Sequence, residues 1–128
     1  MYENDKSVLA LKSEAFSGRV VKMVRYLNDN ADRALAPLYN QVLRSGTSIA
    51  ANVGEAQFAQ SRADFITKLH IAAKEANETR KWLKTLFEGD VITRGQFKSM
   101  DDDCNEILSI LISSLKTSKR NQQLIINS

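Results

Sequence analysis

Two runs of seven residues, each advancing by four, three, four, three, four and three, limit what this chain can fold into more than any other feature. One is Leu35, Tyr39, Val42, Gly46, Ile49, Val53 and Ala56, and the other is Phe65, Leu69, Ala72, Ala76, Thr79, Leu83 and Leu86. Steps that alternate between three and four keep close to one helical turn, so each run occupies one side of an α-helix and forms a seam that must be covered. Two further segments can cover them. Leu9, Phe16, Val20, Met23 and Leu27 share one helical face, and Phe97, Met100, Cys104, Ile107, Leu111 and Leu115 share another.

Local chemistry marks where these helices start and stop. The polar run Asn28–Asp32 closes the first, and Pro37 belongs in the first turn of the second, where its missing N–H costs nothing. Ser61 with Asp64, and Thr93 with Gln96, have the spacing of N-terminal caps for the third and fourth. Gly89 is placed to end the third in a left-handed conformation, and Lys116, Lys119 and Arg120 suit the negative end of the fourth. The spacing predicts helices over about residues 7–27, 35–58, 62–88 and 94–118. With one proline and no long alternation of Val, Ile and Thr, the expected fold is all-α, an antiparallel up-down four-helix bundle in a single domain over residues 1–128.

The glycines of RSGTSIAANVGEA, Arg44 to Ala56, could suggest a phosphate-binding loop. Such a loop ends in Gly-Lys-Ser/Thr, whereas Gly54 is followed by Glu55, and the apolar phase runs unbroken through both glycines. They therefore lie inside a helix, where each costs up to about 1 kcal/mol relative to alanine and calls for a compensating gain. Gly46, Ala50 and Gly54 stand four residues apart and form a smooth ridge that another helix can approach closely. On the opposite flank Gln41, Ser45, Ser48, Asn52 and Glu55, with Arg44 beside them, make a polar seam. It is either a solvated face or a hydrogen-bonded contact with a neighbouring subunit or a ligand.

Other positions carry competing readings. Lys74, Lys81 and Lys84 line the outer side of the third helix with His70 and Asn77, as phosphate contacts to RNA or DNA or as an ordinary solvated face. Glu75 and Glu78 would partly cancel their field, and no aromatic alternates with them as a stacking platform would require. The net charge of +3, from 18 basic and 15 acidic residues, is compatible with nucleic acid without demanding it. Ile71 and Trp82 fall outside the core stripe on one side of the helix, and are candidates for a subunit contact or for the edge of a wide core.

No catalytic, cofactor or metal site emerges. Di-iron bundles pair Glu-x-x-His motifs, which are missing, and Cys104 at a core position reads as an inert thiol. The most apolar segment, Ile107–Leu115, is far shorter than the ~20 residues of a membrane span, and residues 1–12 lack the basic start of an export signal. The expectation is a cytoplasmic protein with no membrane partner.

The pattern R-S-x-x-S-I-x-x-N-x-x-E, here Arg44, Ser45, Ser48, Ile49, Asn52 and Glu55, is followed by A-x-F-x-x-x-L-x-I-A, here Ala63, Phe65, Leu69, Ile71 and Ala72. Together with KEANETRKWL, Lys74 to Leu83, these motifs resemble the four-helix-bundle proteins first noticed as products of intervening sequences in 23S rRNA genes. Ala56 departs from the pattern, since many relatives have glycine after the glutamate. The resemblance implies a ring-like homo-oligomer, a pentamer, without catalytic activity. It also implies kinship with the accessory protein of diversity-generating retroelements, a basic bundle that binds nucleic acid and a reverse transcriptase. The resulting expectation is a non-enzymatic scaffold associated with nucleic acid; the alternative is a protein-interaction adaptor with no nucleic-acid affinity.

Overall fold

A computed structural model describes the backbone of residues 2–128 and the side chains of residues 8–128. Four helices follow one another: α1 Tyr2–Asn30, α2 Ala36–Gln57, α3 Arg62–Glu88 and α4 Arg94–Asn127, with one 3-10 turn, Arg33–Leu35, ahead of α2. No strand occurs among the described residues.

Neighbouring helices run antiparallel. Between α3 and α4, Ala76 pairs with Cys104, Arg80 with Asp101 and Phe87 with Phe97, so the partner's number falls as the residue number rises. The same holds between α1 and α4, where Lys12 meets Glu106 and Arg19 meets Asp103. Each helix packs chiefly on its neighbours in the chain, while α1 and α4 touch sparingly. Apolar side chains from all four helices meet in one core, including Phe16, Val20, Tyr39, Ile49, Leu69, Leu83, Ile107 and Leu111. Burying a side chain of this size is worth about 1.5–3 kcal/mol, so the core carries most of the stability.

All seven residues of the third-helix stripe are buried. On α1 the core position is Val24, and Met23 is only partly covered. The caps form as the residues dictate: Ser61 accepts from the Asp64 N–H, and Thr93 and Gln96 complete a reciprocal capping box. Gly89 does not take the left-handed conformation: its φ is −85°, and Asp90 adopts φ 61° instead. The shift moves the chain reversal one residue on, where the Val91 N–H donates to the Leu86 carbonyl at 2.8 Å.

Two helices outrun their expected ends. The polar run does not stop α1 at Leu27, because Asn28 and Asn30 turn their amides back onto the Val24 and Tyr26 carbonyls, each at 3.0 Å. Helix α4 continues to Asn127, since residues 119–127 hold no glycine or proline to stop it although the core has ended. Its last turns carry Leu124, Ile125 and Ile126 exposed. No helix among the described residues is long and apolar enough to cross a membrane.

Candidate functional site

The outer side of the α2–α3 pair gathers most of the residues singled out in the sequence. Helix α2 contributes Arg44, Ser48, Asn52 and Glu55, and α3 contributes Ile71, Lys74, Lys81, Trp82 and Lys84. An open groove of about 390 Å³ runs over α3, lined by Lys74, Glu75, Asn77, Glu78, Lys81, Trp82 and Thr85.

The polar seam does not survive as one surface. Ser45 is fully buried between the helices, its hydroxyl hydrogen-bonded to that of Thr79 at 2.9 Å. The cause is its place on the α3 side of α2, where Thr79 of the facing stripe approaches. Arg44 is also taken, pairing with Glu75 at 3.1 Å and with Glu78. Those two contacts, the Glu78 hydrogen bond foremost, push its pKa above the usual arginine value. Ser48 donates to the Arg44 carbonyl at 2.6 Å and Asn52 to the Ser48 carbonyl at 2.8 Å, so both satisfy themselves along their own helix. Glu55 is exposed and makes no ion pair among the described residues.

The small ridge is used at one end only. At Gly46 an added Cβ would stand 2.8 Å from a Val20 methyl, so α1 crosses α2 at closest approach there. Ala50 is half-buried, and nothing lies within 4 Å of a Cβ added at Gly54. A crossing pair of helices touches closely over a short length, which is why one glycine of the two is covered.

On α3, Lys74, Lys81 and Lys84 are exposed and form no ion pair among the described residues. Their acidic neighbours Glu75 and Glu78 turn instead toward α2 and Arg44. Ile71 and Trp82 separate. Ile71 remains 38% exposed, whereas the Trp82 ring is large enough to reach back and pack against the core, so it is not the exposed anchor that its wheel position suggests. Its indole N–H is buried and without a partner among the described residues.

Cross-helix charges were not visible in the sequence. The run Asp101–Asp103 sends each carboxylate to a different partner: Asp101 to Arg80 of α3, Asp102 to Lys98 and Asp103 to Arg19 of α1. The signals for this are the phase of three adjacent residues, which point about 100° apart on a helix, and, for Asp102, the four-residue spacing from Lys98 on α4 itself. Cys104 is buried, its thiol donating to the Ala76 carbonyl at 3.3 Å, and burial foremost, with Asp101 adding to it, pushes its pKa up to about 12. A thiol held neutral in this way is a poor nucleophile. Among the described residues no three His, Cys, Asp or Glu side chains converge as metal ligands.

Comparison with known proteins places this arrangement in context. The family model described as 23S rRNA-intervening sequence protein matches residues 6–113. A crystal structure from Bacteroides thetaiotaomicron, described as a protein of unknown function from the S23 ribosomal protein family, is 46% identical. It superposes with a TM-score of 0.82, covering 88% of this chain and 98% of that one. No curated protein matches the chain.

Proposed function

We propose, from the premise that this chain belongs to the 23S rRNA-intervening sequence protein family, that it is a non-catalytic, self-assembling helical scaffold that associates with nucleic acid through the lysine face of α3. The observation that supports the reading is the diversion of Glu75 and Glu78 to Arg44. Two carboxylates that would offset Lys74, Lys81 and Lys84 are partly neutralised from the neighbouring helix, and the lysines are left in solvent. Phosphates attract such a row without sequence preference, and the attraction falls with salt because counterions are released. Self-assembly is supported by exposed Ile71 and by Glu55, which is exposed and has no ion pair among the described residues, on the same side of the molecule. The number of copies that the family resemblance implies is five. A cytoplasmic setting suits a chain whose lone cysteine is a buried thiol.

The test is fluorescence anisotropy with structured RNA, duplex DNA and single strands at two salt concentrations. Binding should weaken with salt, and Lys81→Glu with Lys84→Glu should weaken it alike for every sequence, reducing the salt slope by about 2. Binding unaffected by the double substitution would remove α3 from the interface. A second reading, a protein adaptor without nucleic-acid affinity, draws on the near balance of 18 basic and 15 acidic residues. Absence of binding to every probe at low salt would favour it.

A further inference from the structure

Helix α1 has two apolar sides. Its inner stripe is in the core, and a second one, Val8, Leu11, Ala15, Gly18 and Tyr26, with Val21 at its edge, faces outward along roughly 27 Å of helix. Leu11 is 64% exposed and Tyr26 57%, and nothing lies within 4 Å of a Cβ added at Gly18. The contrast with Gly46 is informative. There the missing side chain makes room for Val20 of a crossing helix, whereas the same helical cost at Gly18 has no recipient among the described residues. Large side chains toward both ends of the stripe and small ones at its middle are the shape on which a second helix crosses closely.

We propose that this stripe is the counterpart of the α2–α3 face, so that α1 of one copy lies against the Ile71 side of the next. The inference rests on the self-assembly proposed above and supplies its second surface. Charge agrees with the pairing, since exposed Lys22 within the stripe has no ion pair among the described residues and Glu55 beside the other face has none either. Two copies meeting α1 to α1 would leave Ile71 and Glu55 uncovered, while α1 meeting the α2–α3 face covers both with one kind of contact. The two faces belong to different sides of one bundle, because α1 packs chiefly on α2, less on α4, and at most marginally on α3. A contact between unlike faces is heterologous, and its repetition generates a ring when the rotation closes.

Light scattering after gel filtration decides the matter, using wild type, Leu11→Lys, Ile71→Lys and an equal mixture of the two variants. Both positions are exposed, and matching circular dichroism and melting verify folding; if Leu11→Lys fails to fold, Tyr26→Lys replaces it. Each variant alone should fall to single copies. The mixture should form two-copy particles, because one variant keeps an intact α2–α3 face and the other an intact α1 stripe. Wild-type mass in either variant, or a mixture that stays as single copies, overturns the pairing while self-assembly stands. A wild type that is itself a single copy at high concentration overturns both.

Discussion

Alanine at Gly46 and alanine at Gly54 place the same substitution in two environments of one helix, and the two should change stability in opposite directions. In helical propensity alone each gains up to about 1 kcal/mol. At Gly54 no heavy atom lies within 4 Å of the new Cβ, so most of that gain remains. At Gly46 the Cβ would stand 2.8 and 2.9 Å from the two Val20 methyls and 3.3 Å from its Cβ. A valine side chain is stiff at χ1, and with both methyls in the way no rotation clears the site, so α1 must recede. Overpacking of this kind costs about 1–3 kcal/mol, which outweighs the propensity gain and leaves about 1 kcal/mol of net destabilisation. The variants should therefore differ by about 2 kcal/mol. Urea unfolding followed by far-UV circular dichroism reads this directly, provided the slope m is the same for both. Adding Val20→Ala to each should relieve the penalty at Gly46 and not at Gly54, giving a coupling seen at one glycine only. Equal stabilisation by the two alanines would refute the close crossing of α1 over α2.

Replacing Arg44 by alanine should destabilise the fold by about 1 kcal/mol, the sum of two partly exposed ion pairs, and strong salt should shrink the loss. An unchanged urea midpoint would mean that the Ser45–Thr79 contact and the apolar seam hold α2 to α3 unaided. Cys104 should resist iodoacetamide while the protein is folded and react at the rate of a free thiol in denaturant. Its folded pKa is raised from 9.0 to about 12, so the folded state keeps a proton that the unfolded state loses. Stability should consequently fall as pH climbs from about 9 toward 12, and Cys104→Ala should flatten that part of the profile.

The helices were legible because burial imposes a period on the chain. Every residue of Phe65, Leu69, Ala72, Ala76, Thr79, Leu83 and Leu86 is buried, including a threonine whose polarity pointed the other way. Helix ends were less legible, since Asn28 and Asn30 read as breakers and act as caps for the carbonyls behind them. The candidate face was harder still. Ser45 and Ser48 are alike in sequence, yet one is buried against Thr79 and the other is partly exposed, which depends on how far α2 is rotated about its axis when α3 docks. The partners of Arg19, Arg44 and Arg80 lie on other helices, and a periodic pattern holds no information about a neighbour's register.

The sparse contact between α1 and α4 shapes how this protein comes together. Because each helix leans mainly on the one before or after it, most native contacts join residues close in sequence, and chains of low contact order fold quickly, in microseconds to milliseconds. The bundle behaves as three successive helical hairpins, whose closure adds two ionic struts, Lys12–Glu106 and Arg19–Asp103, to the apolar core that α1 and α4 share. Those struts are exposed to solvent and add little, so α1 and α4 are held mainly by the core they share, and their sparse contact opens more readily than the α2–α3 hairpin. Amide exchange should accordingly be fastest along α1 and α4 and slowest at the centre of α2 and α3, making the middle of the chain its most persistent piece.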